Sequence, residues 1–566
     1  MSVAPGRSQA SSHRGTQCEG TPVSLNRRHF MAGAVLPLLG CEKPEEIAGG
    51  FTGIEHARGH LLRGGKSWPA PTRTHTTQVV IAGGGVAGLA AARALRLRGV
   101  DDFALLELED SAGGNSRGAT VGGIACPLGA HYLPVPGDNA TEVQDLLEEL
   151  GLRRRVAGRW VYDERHLCHS PQERLFFNGA WQDGLLPLQG VDADTLAQYH
   201  RFAALVEQAR RAEPWRIPVF SAASGPLQKT LKATTFTTWL DRNGLSDKHL
   251  RWYLNYCCLD DYGAGASTVS AWAGMHYFAS RHGFEVPGQD SAEHEGVLTW
   301  PEGNSWLTRR MATPLGERLH TGQVVVRIAS VKQGVEVDAF NPATQSTERW
   351  RAQRCIVALP VFVAARVVEN PPSPLVHAAA RTRYAPWLVA NIHIKAPLHD
   401  RPGAAPSWDN VLYADEHQAQ TSGGLGYVDA THQSLQSVPG ATVLSHYRAL
   451  GDVPDGRRML LNAPWSHWRD LALADLGRAH PDLRAKTTRV DITRYGHAMA
   501  IPVPRDGDLQ AFVPPQNAGR KLSMAEQAVF CAGPLAFAHG DWAGYSVFEE
   551  AFTLGHAAGN LAGNSA

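Results

Sequence analysis

The chain has 566 residues, too many for a single hydrophobic core, so two domains are expected. Its 54 basic and 54 acidic side chains cancel and no long basic run occurs, which removes the electrostatic case for nucleic acid and leaves a small molecule as the expected partner. Apolar residues at 43% and charged residues at 19% suit a packed globular body with disorder confined to its start.

Residues 1–29 carry several arginines and one acid, Glu19, and lead through Asn26-Arg27-Arg28-His29-Phe30-Met31 into an apolar stretch ending near Leu39. About ten apolar residues are too few for a permanent membrane span but fit the core of a signal peptide. The arginine pair followed by Phe30 resembles a twin-arginine export signal, and Leu38-Leu39-Gly40-Cys41 resembles a bacterial lipobox with Cys41 as the lipidated residue. These resemblances imply passage through the twin-arginine export machinery, a periplasmic location and a lipid anchor at Cys41. Residues 42–75, rich in Gly, Pro and charge, read as a tether.

The run Val79-Val-Ile-Ala-Gly83-Gly-Gly85-Val-Ala-Gly88 predicts a strand, a phosphate loop and a helix. Gly83 allows the sharp turn, Gly85 lets backbone approach a pyrophosphate, and Gly88 lets the helix pack on the strand. The helix N-terminus then turns free N–H groups and a positive dipole end toward the anion. A second strand, Phe103-Ala-Leu-Leu, ends on Glu107, 19 residues beyond Gly88, where a ribose hydroxyl is held in such folds. Together these features predict dinucleotide binding rather than an ordinary glycine-rich turn.

Four later segments read as returns to the same domain. They are Gly113-Gly114-Asn-Ser-Arg117 with the glycine-punctuated stretch Gly122 to Tyr132, Trp300 to Leu307 with the strand Gln323 to Ile328, the buried strand Arg354 to Pro360, and Ala528-Val-Phe-Cys-Ala-Gly533-Pro534 with a closing helix through Glu549 and Ala558. Residues 190–285 carry helical periodicity and many aromatics, whereas 385–500 mix strand-like runs with helix and turn signals. The expected division is a nucleotide domain from 76–165, 296–365 and 525–566, and a second domain from 166–295 and 366–524. Of eight cysteines, Cys18 and Cys41 belong to the leader and the spacing of the other six matches no metal site. Cys355 and Cys531 read as small core residues, and Cys257-Cys258 as structural.

These residues resemble the flavin-containing amine oxidase superfamily, which includes monoamine and polyamine oxidases, protoporphyrinogen oxidase and phytoene desaturase. The resemblance implies an α/β fold, in which a Rossmann-like FAD-binding domain is interleaved with a second α+β substrate domain. It implies FAD as cofactor, with Gly83, Gly85, Gly88 and Glu107 on its ADP half and Gly113, Gly114 and Arg117 along the pyrophosphate and flavin. It places the backbone of Val326 against the adenine, Gly533 near the ribityl chain, and the helix carrying Glu549 and Ala551 with its N-terminus toward the flavin pyrimidine. The implied reaction is oxidation of an amine or polyamine by hydride transfer to flavin N5.

Four departures stand out. Gly533-Pro534 occupies the place of the family's Gly-Asp, with Asp541 a possible substitute, and Glu550 stands where glycine is usual. Asn391 is the nearest equivalent of a lysine that reaches flavin N5 through water. Tyr545 falls two residues upstream of the aromatic that frames the amine. A desaturase-like or isomerising flavoprotein acting on a hydrophobic substrate, or a non-catalytic relative, would also accommodate these changes.

The reactive candidates follow from these positions. His131 ends the glycine-rich stretch and is a candidate for bonding substrate or moving a proton, against a loop histidine bonded to backbone. His497 lies where related enzymes cover the flavin, and Tyr545 is a candidate cavity wall. Trp239, Trp252, Tyr253, Tyr256, Tyr262 and Trp272 read mostly as helix core. Asp260-Asp261 could attract a cationic amine, although paired acids at a helix end are more often solvated.

Overall fold

A computed structural model describes residues 46–64, 67–286, 296–414, 424–434, 438–505 and 521–563. The export signal and lipobox expected in residues 1–41, with Cys41, lie outside these. In chain order the described body begins with β1 (Ala48–Phe51), α1 (His56–His60), β2 (Pro71–Ala82), α2 (Val86–Leu97) and β3 (Phe103–Leu106). It continues through β4 (Glu173–Phe177), β5 (Ala180–Asp183), α3 (Ala193–Ala212), α4 (Lys248–Tyr262), α5 (Ala271–Ala279), β6 (Leu319–His320), β7 (Val324–Val331), β8 (Gly334–Asn341) and β9 (Ser346–Val357). Then follow α6 (Val361–Val367), β10 (Arg383–Ile394), β11 (Asp409–Leu412), β12 (Gly424–Asp429), β13 (Thr442–Ala449), β14 (Thr487–Ile501), β15 (Phe530–Ala532), β16 (Leu535–Phe537) and α7 (Phe548–Gly563).

The first sheet runs β6-β3-β2-β9-β8-β7, with β16 and β15 joining beside the carboxyl end of β9. β2 pairs in parallel with both β3 and β9, from Val79↔Phe103 to Ala82↔Leu106 on one side and from Arg354↔Val79 to Val357↔Ala82 on the other. Its central strands are buried on both faces, which explains their continuous apolar runs. α2 and α7 cover one face of this sheet at very short range. A Cβ at Gly555 would lie 2.0 Å from the Ala87 carbonyl oxygen, and one at Gly559 would lie 2.5 Å from that of Ala91.

The second sheet is also eight-stranded, in the order β1-β14-β10-β13-β12-β11-β4-β5. Aromatic and aliphatic side chains of α3, α4 and α5, among them Phe202, Tyr262 and Trp272, share one buried cluster with Ala385, Val389 and Tyr447 of its strands. No described helix is long and apolar enough to cross a membrane.

Two expectations are corrected. Residues 46–64, read as part of a tether, form β1 and α1: β1 pairs in parallel with β14 from Ala48↔Arg489 to Phe51↔Ile492. The Gly533-Pro534 segment, read as the end of a returning sheet strand, is instead a hairpin turn with Gly533 at φ +58° between β15 and β16. It is β16 that enters the sheet, pairing Cys355↔Leu535 to Val357↔Phe537.

Candidate active site

A cavity of about 690 Å³ opens at the carboxyl ends of β2, β3, β9 and β16, the place where open parallel sheets hold ligands. Its nucleotide-like end is built from the β2–α2 turn. Gly83 has φ +101°, a left-handed conformation costly for any other residue, and a Cβ at Gly88 would lie 1.9 Å from the Gly83 carbonyl oxygen. Only glycine at both positions lets the helix start so close to the strand. Gly83, Gly84, Gly85, Gly113 and Gly114 line the cavity there, and the N-terminal turn of α2 faces it with Val86 and Ala87. Glu107, buried at the tip of β3, accepts the Gly84 N–H at 2.7 Å and the Glu109 N–H at 2.8 Å. Burial pushes its carboxyl pKa up while those two N–H groups draw it down.

The strand exchange at β16 brings Gly540-Asp541 to the cavity wall. Asp541 is 2% exposed, and its Oδ2 accepts the Val361 N–H at 3.0 Å and the Tyr384 hydroxyl. Burial acts to raise its pKa. His539, whose Nδ1 lies 3.2 Å from Oδ1, together with the Tyr384 and Val361 bonds, outweighs burial and holds the carboxyl below its ordinary value. α7 begins just beyond, and Val547, Phe548, Glu549 and Ala551 present its first turn to the cavity.

The opposite end is aromatic and acidic. His131 stacks on Tyr447 with ring centroids 4.3 Å apart, and Tyr132 and Trp387 stand on the same wall. Tyr447 and Tyr495 donate to the carbonyls of Gly129 and Leu128 at 3.1 and 2.9 Å, fixing the loop that carries His131. Asp260 and Asp261, from the last turn of α4, reach this wall with Arg281, which pairs with Asp261 at 3.1 Å. Burial and then the neighbouring Asp261 push Asp260 up to about 7, against the pull of Arg281 and a hydrogen bond from Tyr132. Burial takes His131 down to about 3, so its imidazole is neutral.

Comparison with known proteins decides the family, because a family model described as flavin containing amine oxidoreductase matches residues 86–533. The chain belongs to that family. Among curated relatives, an L-amino acid dehydrogenase from Synechocystis sp. is 25% identical over 306 residues, covering 52% of this chain and 58% of the relative. A flavin-containing amine oxidase from Oncorhynchus mykiss is 25% identical over 322 residues, covering 54% of each. The chain therefore spans little more than half the length of these relatives. A putrescine oxidase solved with putrescine shares the fold, with a TM-score of 0.59 at 17% identity over 87% of this chain and 98% of that one.

FAD is the cofactor of this amine oxidoreductase family member, and the residues present fit it. A Cβ at Gly83 or Gly84 would clash with Ala358 or Glu107 while one at Gly85 would clash with nothing, and Asn304 Oδ1 and Gln323 Oε1 are buried acceptors without a partner on residues that line the cavity. Gly83 to Gly85 with the α2 N-terminus would hold the pyrophosphate, and Glu107 the ribose. Asp541, which lines the cavity where Gly533-Pro534 does not, would stand in for the missing carboxylate.

The remaining site expectations fall in several places. His131, His497, Gly113, Gly114, Glu549 and Ala551 line the cavity, and His497 stacks on Phe362 at 4.5 Å. Gly88 lies beneath the turn. Val326 is the extra residue of a bulge between Val325 and Arg327, and it is Gln323, Val324 and Val325 that line the cavity. Arg117 does not line the cavity; its guanidinium donates to the carbonyls of Gly114 and Gly53 and lies 3.7 Å from Glu109.

Three expectations are corrected outright. Gly533 sits in the hairpin turn, outside the cavity wall. Asn391 is fully buried between Pro127 O, to which it donates at 2.9 Å, and the Ser445 hydroxyl, from which it accepts at 2.6 Å. The cavity-facing residues of β10 are Tyr384 and Trp387, the nearer of them about 13 Å earlier along the strand. Tyr545 packs among Tyr262, Trp272 and His276, and donates to Glu550 at 2.8 Å. Glu550 also accepts the Val219 N–H at 2.7 Å, so its carboxylate points into the core and leaves the cavity side of α7 free.

Proposed function

We propose that this protein is an FAD-dependent oxidoreductase that oxidises a small amine at the carbon bearing the nitrogen. The observation that carries the reading is the wall formed by His131, Tyr132, Trp387 and Tyr447 beside Asp260. Aromatic faces attract an ammonium group, most strongly where water is excluded. With Arg281 paired to Asp261, Asp260 is the carboxyl left to offset an incoming cation. The neutral imidazole of His131 adds no opposing charge.

FAD, when bound, supplies the two-electron acceptor that takes a hydride. The chain's own part is to bind the amine, hold it and accept a proton. An alkyl ammonium must lose a proton before its C–H bond can break as a hydride, and the Asp260 carboxylate, poised at about 7, is suited to take it. The names of the relatives support this substrate class. Anaerobic mixing with putrescine, spermidine and aromatic amines tests it, because at least one should bleach the flavin's visible absorbance. If only a lipophilic compound without an amine does so, the desaturase or isomerase reading replaces this one. If purified protein shows no flavin bands even after FAD is added, both enzymatic readings fail.

Export through the twin-arginine pathway and anchoring at Cys41 in the periplasm complete the proposal. The support is Arg27-Arg28 with Phe30, followed by Leu38-Leu39-Gly40-Cys41. In cells fed labelled palmitate the protein should carry label that Cys41→Ala removes, and replacing both arginines by lysine should leave it in the cytoplasm.

A further inference from the structure

The segment from Ala48 to Arg63 precedes the glycine turn and lies upstream of the family match, which starts at residue 86. It touches both sheets. β1 lengthens the second sheet and the Thr52 N–H bonds the Ile492 carbonyl at 2.9 Å. Gly53 then receives the Arg117 guanidinium, and the Glu55 N–H reaches the Glu109 carboxylate at 3.2 Å. On α1, Arg58 binds Asp110 at 2.7 Å and the Leu108 carbonyl at 3.1 Å. Leu61 and Leu62 close the segment onto an apolar cluster of Val324, Val326 and Phe340.

Between these attachments Ile54, His56, Gly59, His60, Leu62 and Arg63 line the cavity. The edge they form is cationic. Arg63 stands with Arg366 of α6 and with Arg457, whose guanidinium donates to the carbonyls of Gly496 and Tyr384 rather than to an acid. Among the described residues no ion pair engages Arg63, Arg366 or Arg457. The group repels itself: Arg457, Arg63, His60 and Arg366 all add to the burial that keeps His497 neutral, and Arg63 acts the same way on Arg457. Like charges gathered without a counter-charge on a cavity edge call for an anion in the cavity.

We infer that the segment Ala48–Arg63 is a clasp for FAD, closing over the cavity after the cofactor enters, with Arg63, Arg366 and Arg457 supplying the positive field that its pyrophosphate balances. The inference rests on the cofactor and is independent of the amine reading. Its consequence is slow cofactor release, because FAD can leave only when α1 lifts from the first sheet.

The test uses the full-length holoprotein, diluted, with free flavin followed by its fluorescence. Arg58→Ala loosens the docking of α1 without changing a cavity residue, and Arg63→Ala removes a cavity charge without changing the docking. Each should speed FAD release by about tenfold, the scale of one charge-assisted contact. Arg63→Ala should in addition weaken the acceleration of release by salt, and Arg63→Lys should restore it. Release within about twofold of the parent in both alanine variants, or faster release only alongside a lowered melting temperature of the apoprotein, would overturn the clasp.

Discussion

Burial acts on Asp260 and His131 alike by favouring the uncharged form, which raises the acid to about 7 and lowers the imidazole to about 3. The cavity wall therefore has one group that changes charge near neutrality and one that does not. If Asp260 balances a cationic amine, kcat/KM should rise as pH passes upward through about 7, where its carboxyl ionises. Asp260→Asn should abolish that limb and lower kcat/KM by about tenfold or more, with the flavin spectrum unchanged. A pH–rate profile identical to the parent's would remove Asp260 from the reaction. Residue identity was legible where backbone geometry demands it, as at Gly83 and Gly88. It was hidden where partners come from distant segments: Asp541 is fixed by Val361 and Tyr384, and Arg117, besides the Gly114 carbonyl of its own motif, is held by the Gly53 carbonyl. Asn391 was misread for a different reason, since it lies on the right strand but too far along it.

At the scale of elements, the contact between α2 and α7 depends on absent side chains. Gly555→Val would drive its Cβ into the Ala87 carbonyl, 2.0 Å away, and should cost about 2 kcal/mol or more. Gly477→Ala, at a helix end with nothing near its Cβ, should be neutral or stabilising by a few tenths of a kcal/mol. Thermal unfolding followed by circular dichroism separates the two; equal melting temperatures would show that the helix contact can relax. The alternating and continuous apolar strands of the first sheet were readable because burial writes itself into side-chain pattern. β1 was not, because Ala-Gly-Gly-Phe joins the sheet through main-chain bonds to β14 and carries no such pattern. β16 was hidden by its neighbour: β15 has the same short apolar character, and only the register with Cys355 to Val357 tells which of the two enters the sheet beside β9.

At the scale of the whole molecule, both sheets are assembled from segments far apart in sequence. The first draws strands from residues 71–106, 319–357 and 530–537, the second from 48–51, 173–183 and 383–501. The returning glycine and proline signals made this interleaving readable in outline, while the order of strands within the second sheet left no trace in local composition. The pairing of α2 with α7 also sets a timetable. The turn that begins the cofactor site leaves the ribosome long before Asp541 and the first turn of α7, which complete it. A growing chain thus carries an exposed, half-finished sheet until the last of these segments is made, and the cofactor meets a complete site only after α7 has begun.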